Sequence, residues 1–201
     1  PIENDTTGSI VLTSDADATG VAVGLNVSGK VAYKGDATGS IEGAALSDTS
    51  VLADALASGI DSGEGSDTIT NKAAIAATAG ADATGVSISA GAAVGVAFKG
   101  DAELDVSGAT VSKASTTANA ATAGIDAGEN DDAVNNTGPI SVYSGSDATG
   151  VAAGVNFSAA IAIEGDVDAN VEGAALNDAR VTADASATGI DGGEGSDTIV
   201  N

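Results

Sequence analysis

The sequence predicts an all-β chain folded as a parallel β-solenoid (β-helix), right-handed, with about three coils per 65-residue repeat. Three observations predict it. The first is a strict period. Asp-Ala-Thr-Gly occurs at Asp17–Gly20, Asp82–Gly85 and Asp147–Gly150, and Gly-Ile-Asp at Gly59–Asp61, Gly124–Asp126 and Gly189–Asp191; both series step by 65. A fixed period of this kind marks a stacked, quasi-one-dimensional architecture. The second is alternation of apolar and small or polar residues, the sign of β-structure with one buried face. The third is the kind of hydrophobe. With two Phe, two Tyr, no Trp and no Met, the core is left to Ala, Val, Ile and Gly, which suits a thin interior.

The period divides the chain into residues 1–6, the end of a preceding repeat or an inter-subunit segment, followed by repeat 1 (7–71), repeat 2 (72–136) and repeat 3 (137–201), all in one continuous solenoid. Each repeat opens on a short apolar stretch around Ile10 and Leu12, or Ile140 and Val142. Asp-Ala-Thr-Gly reads as a turn, in which Asp and Thr cap backbone groups and Gly takes the left-handed conformation. The clearest alternation follows: Val21, Val23, Leu25, Val27, Val31 and Tyr33, matched by Val86 to Phe98 and Val151 to Ile163. This is expected to be a buried face, and so long a strand is expected to bend near Ser28–Gly29.

A second apolar patch lies at Ile41, Ala44 and Leu46, with Val106, Ala109 and Val111, then Val171, Ala174 and Leu176. A polar break at Ser47–Ser50 and its copies precedes a further alternating run at Val51, Ala53 and Ala55. The Ala-rich stretch Ala114–Ala123 reads as strand, because Ser, Thr and Asn interrupt it and helix caps are missing. Gly20, Gly39 and Gly59 divide the first copy at spacings near 20, which is the basis for three coils and a rise of about 14 Å per unit. A two-turn unit is the alternative. Asn71, Asn136 and Asn201 are expected to stack inward or in a turn.

Each repeat ends in an acidic glycine turn, Gly59–Asn71, Gly124–Asn136 and Gly189–Asn201. Glycine permits positive φ, carboxylates offer hard oxygen ligands, and the Ile or Val anchors the turn. Asp61, Glu64, Asp67, Asp126, Glu129, Asp132, Asp191, Glu194 and Asp197 are the candidate Ca²⁺ ligands; solvated turns connecting strands are the alternative. One nonapeptide per 65 residues leaves each turn without a neighbouring turn in sequence, so any ion would have to be shared with an adjacent coil.

Composition narrows function. Twenty-nine acids against six bases give a net charge of −23, which disfavours nucleic acid and anionic lipid. No apolar run approaches the ~20 residues of a membrane-spanning helix. With no His and few cations, the chain lacks the base and the anion-stabilising charge that a polysaccharide lyase needs, so it reads as no enzyme. The absence of Cys removes thiol and disulfide chemistry.

The stretch from Thr19 to Ile60, with Gly20-Val-Ala-Val-Gly-Leu-Asn-Val27, Ile41-Glu-Gly-Ala-Ala-Leu46 and Val51-Leu-Ala-Asp-Ala55, resembles the repetitive passages of large bacterial surface proteins, the filamentous-haemagglutinin-like adhesins. The turn at Gly189–Asn201 is similar to the acidic turns of repeats-in-toxin proteins, and Gly192–Val200 fits their Ca²⁺-binding nonapeptide. The resemblance implies export, an extracellular or cell-surface location, and work as a fibre, filament or adhesin stalk. The implied partners are copies of the same chain joined head to tail, Ca²⁺ as the one cofactor, or a surface glycan if the chain is instead a binding module.

Overall fold

The computed structural model describes residues 1–34, 37–99 and 102–201; the side chains of 37–43, 102–108 and 169–173 lie outside the described residues, and with them the expected apolar positions Ile41, Val106 and Val171 and the division mark at Gly39. Every assigned element is a strand. Each repeat contributes two long strands and one short one: β2 (Ser9–Ala32), β3 (Ala37–Asp61) and β4 (Thr68–Asn71); then β5 (Ala74–Ala97), β6 (Ala102–Asp126) and β7 (Ala133–Asn136); then β8 (Ile140–Ala162), β9 (Val167–Asp191) and β10 (Thr198–Val200). A three-residue strand, β1 (Ile2–Asn4), precedes them.

All pairing is parallel. One sheet has the order β2-β5-β8, a second β3-β6-β9, and a short third sheet β1-β4-β7-β10. Ile10 pairs with Ile75 and Ile75 with Ile140; Val51 pairs with Thr116 and Thr116 with Val181. Strands of consecutive repeats are therefore 65 residues apart. Each repeat lays one strand in each of the three sheets, where the glycine spacing predicted about three coils, and consecutive repeats sit one strand spacing apart, about 4.8 Å, in place of about 14 Å per unit. The glycines at 20 and 59 lie within strands, so their spacing is no measure of a coil. β1 alone is offset by 67 from β4, because the connection Asp5–Gly8 carries two extra residues and closes with Gly8 N donating to Asp5 O.

The long strands give a solenoid-like path an unusual cross-section. At ~3.3 Å per residue, the 24 residues of β2 extend about 80 Å. The strand runs unbroken through Ser28–Gly29 and through Asp17–Gly20, so neither the expected bend nor the expected turn forms. The two long sheets face each other and are closed at one end by the short sheet.

The gap between them is narrow. Ser47 Oγ crosses it to donate to the Ala22 carbonyl at 2.8 Å, Ser87 Oγ to that of Ser47 at 2.8 Å, and Ser112 Oγ to that of Ala153 at 2.7 Å. A hydroxyl one atom beyond Cβ thus reaches the opposite backbone, well inside the ~10 Å of an ordinary sheet sandwich. Only small side chains fit there. The main buried cluster is Val51 with alanines of both sheets, among them Ala53, Ala55, Ala79, Ala81 and Ala118. Larger aliphatics are admitted where the short sheet widens the interior: Ile60, Ile69, Ile75, Ile125 and Val134 form a second cluster.

Close approach reverses the expected orientation of the strongest alternation. In β2 up to Ser28 the even-numbered residues face inward and the odd-numbered ones outward, and Lys30 is exposed. Val21, Val23, Leu25, Val27, Val31 and Tyr33 are each about two-thirds or more exposed, whereas Ser87 and Ser89 are buried completely. Gly24 shows why. A Cβ there would lie 2.5 Å from the Leu46 carbonyl oxygen, so a valine has no room. The run at Val51, Ala53 and Ala55 does face inward, as expected, and the polar break at Ser47–Ser50 is continuous strand whose Ser47 and Thr49 also point in.

Candidate functional site

Two features stand out: the acidic edge where the coils turn, and the outer face of the sheet formed by β2, β5 and β8.

The acidic turns stack directly on one another. Glu64 bridges Glu129, and Glu129 bridges Glu194, in parallel. Ser62 N donates to Asp126 O, Glu129 N to Gly63 O and Glu194 N to Gly128 O, each at 3.1 Å. The missing neighbour expected from one nonapeptide per repeat is supplied by the 65-residue register. Within each turn the first Asp folds back: Asp61 Oδ1 accepts from Gly63 N at 3.0 Å, Asp126 Oδ1 from Gly128 N at 3.1 Å and Asp191 Oδ1 from Gly193 N at 3.0 Å. Gly63, Gly128 and Gly193 have φ of 76°, 87° and 77°, which glycine adopts without strain.

The nine candidate ligands fall into three rows. Asp61, Asp126 and Asp191 are engaged with their glycines. Glu64, Glu129 and Glu194 point to solvent. Asp67, Asp132 and Asp197 turn inward, Asp132 Oδ1 accepting from Asp67 N at 2.6 Å and Asp197 Oδ1 from Asp132 N at 3.0 Å. Asp132 is 3% exposed, and its Oδ2 is buried without a hydrogen-bond partner. Among the described residues no three His, Cys, Asp or Glu converge as a metal-ligating group. The donor set is thus a row and not a cage. Its chemistry suits a hard cation, and the Asp132 oxygen is the one buried atom of the nine residues left without a hydrogen-bond partner.

Beside this edge runs an asparagine ladder. Asn4 Nδ2 donates to Asn71 Oδ1 at 2.7 Å, Asn71 Nδ2 to Asn136 Oδ1 at 2.6 Å and Asn136 Nδ2 to Asn201 Oδ1 at 2.6 Å. The inward stacking expected of these residues is present. Next to it Lys72 bonds Glu3 at 2.6 Å, and that carboxylate raises the lysine above its ordinary pKa.

The outer face of β2, β5 and β8 is divided. From residue 9 to 19 it is mixed: Val11 and Tyr143 are exposed there, with Asp17, Asp82 and Asp147 in one exposed row and Thr19, Thr84 and Thr149 in the next. From 21 to 33 its odd-numbered, outward positions are uncharged, Lys30 being exposed at the opposite parity. Val21, Leu25, Ile88, Val155 and Phe157 are exposed on it, and at its rim the Tyr33 and Phe98 rings lie 5.9 Å apart. The alternation was legible as apolar, but its outward orientation was not. The signal lay in the opposite parity, where Gly20, Ala22 and Gly24 are too small to form a covering layer.

The outer face of β3, β6 and β9 holds a shallow depression of about 550 Å³ lined by Asp54, Leu56, Asn119 and Asp184. There Asn119 Nδ2 donates to Asp54 Oδ1 at 2.7 Å. The depression offers no histidine, cysteine or cation for catalysis. Comparisons with protein-family models, curated proteins and solved structures found no match.

Proposed function

We propose that the chain is a structural repeat element of an extracellular or cell-surface bacterial fibre, a closed right-handed β-solenoid that extends by adding identical coils and performs no catalysis. The observation that carries this is the unbroken parallel register. Each repeat offers on one side the edge it accepts on the other. Such a contact is heterologous and does not close on itself, so it builds filaments or longer arrays. With only about 4.8 Å gained per 65 residues, the geometry favours a fibre with broad lateral faces over a stalk built for reach. The likeness to filamentous-haemagglutinin-like adhesins supports the extracellular setting.

Ca²⁺ is proposed to stiffen the fibre along the Asp67, Asp132 and Asp197 row, where stacked carboxylates repel and Asp132 Oδ2 lacks a partner. Asp61, Glu64, Asp126, Glu129, Asp191 and Glu194 would supply the surrounding negative field.

Head-to-tail contact imposes one condition. Ile2 and Ile199 are equivalent positions in the short sheet, so β1 of one copy and β10 of the next would compete for one place. Electron microscopy and fibre diffraction of the chain, and of a variant lacking residues 1–4, test the proposal. Filaments with a ~4.8 Å axial repeat support it, and isolated particles from both chains in calcium overturn it.

A second reading, a solenoid face that recognises a glycan or surface ligand, is favoured by the in-register Asp17 and Thr19 rows. These present carboxylates and hydroxyls at regular spacing. Binding to immobilised glycans that is lost in Thr84→Val would support it.

A further inference from the structure

We infer that the apolar half of the β2-β5-β8 face is a lateral interface, and that its occupant is a second copy of this chain related by a two-fold axis parallel to the stacking direction.

The area comes first. From residue 21 to residue 33 the face is about 40 Å long and, over three strands, about 14 Å wide, or roughly 600 Å² per copy. That matches the largest apolar patches left open on monomers, and the pair would bury about 1,200 Å², the lower bound of specific interfaces. The face lengthens with every coil added, so a longer array pairs more tightly than three repeats do.

Charge selects both the occupant and the axis. The chain carries −23 overall, which opposes an anionic surface and opposes any pairing that sets its acids against each other. The acids of this face lie in its other half, at Asp15, Asp17, Asp82 and Asp147. An axis parallel to the strands would lay these carboxylates over their own counterparts. An axis along the stack, passing by Val27, Ala92 and Phe157, reverses strand direction between the copies. Val21 of one copy then opposes Tyr33 of the other, and each acidic half projects past its partner's tip. That overlap also brings Lys34 and Lys99, both exposed at the tip, beside the other copy's Asp17 and Asp82, while in the third coil Glu164, 3.8 Å from Lys99, stands in their place beside Asp147. The apolar halves cover each other while opposite charges meet at the margin of the first two coils, an isologous contact whose apolar part repeats along the rod.

The test is sedimentation of the chain across a concentration series at low and high salt. A reversible dimer is expected, strengthened by salt as repulsion between the acidic chains is screened. The double variant Leu25→Asp/Val155→Asp should lose this lateral pairing with an unchanged β-sheet circular dichroism spectrum, because both side chains point outward. The chain has no native Cys, so orientation can be read by disulfide trapping. Val21→Cys mixed with Tyr33→Cys should cross-link between copies, whereas Val21→Cys alone should not. A monomer at every concentration, a dimer that survives the double variant, self-linking of Val21→Cys, or partition onto phosphatidylcholine vesicles in preference to dimerisation would each overturn the inference.

Discussion

The carboxamide nitrogen of Asn71 donates to the carboxamide oxygen of Asn136 at 2.6 Å, with both side chains buried in adjacent coils. Asn71 also accepts from Asn4. Replacing it with alanine leaves the Asn4 donor and the Asn136 acceptor unpaired. Asn4 is partly exposed, but the orphaned buried Asn136 acceptor costs about 1–3 kcal/mol, so Asn71→Ala should lower the urea midpoint clearly. Asn135→Ala, one residue along on the exposed side of β7, should leave it nearly unchanged. Equal shifts in the two variants would deny the ladder its role.

The narrow gap between the long sheets makes a second prediction, at two glycines of one strand. A Cβ on Gly24 would meet the Leu46 backbone, whereas one on Gly29 finds its nearest neighbour, Val94 O, at 3.6 Å. Gly24→Ala must push the sheets apart, and overpacking of this kind costs about 1–3 kcal/mol. Gly29→Ala should be neutral or stabilising by up to ~1 kcal/mol, since glycine within a strand gives up more conformational freedom than alanine. Thermal melts of the two variants moving in opposite directions would confirm the close approach.

The same gap explains how much could be read from the residues. The β class, parallel stacking and the period follow from repetition and alternation, and the asparagine ladder from its fixed place in each unit. The number of coils does not. The apolar positions change parity between Leu12 and Val21, and again between Leu46 and Val51. A change of parity reads as a chain break, because a strand keeps one face buried. Here each long strand continues through the change and turns its apolar residues outward, since alanine, serine and glycine are all the interior admits. Those false breaks are what divided one long coil into three short ones. At the acidic turn the ligand residues were legible, but the stacking of consecutive turns depended on knowing the length of a coil.

Backbone conformation at the turn makes a third prediction. Gly128 has φ of 87°, and a Cβ there would collide with the Gly63 carbonyl oxygen of the coil below. Asn130 takes φ of 79° where Gly65 and Gly195 stand in the other copies. Asparagine is among the few residues that adopt this region readily. Gly128→Ala therefore combines strain with a backbone clash and should destabilise by more than the ~1–2 kcal/mol of the left-handed conformation alone. Asn130→Gly should be tolerated within about 1 kcal/mol. Denaturant titrations of both variants separate the clash from the conformation.

Asp132 sets the last test. Its Oδ1 is occupied by the Asp67 amide, while Oδ2 is buried and unpaired between two further carboxylates of the same row. A buried charge without full partners is destabilising. Asp132→Asn keeps an acceptor for the Asp67 amide and removes the charge. In chelator-containing buffer this variant should therefore melt higher than the parent chain. Adding Ca²⁺ should raise the melting temperature of the parent, because a ligand that binds only the folded state stabilises by mass action. It should move Asp132→Asn much less. Glu129→Gln, altered on the exposed row, should behave like the parent chain in both buffers. Melting curves of the three proteins with chelator and with calcium at constant ionic strength distinguish a cation held at the Asp132 row from general screening, which would raise all three alike.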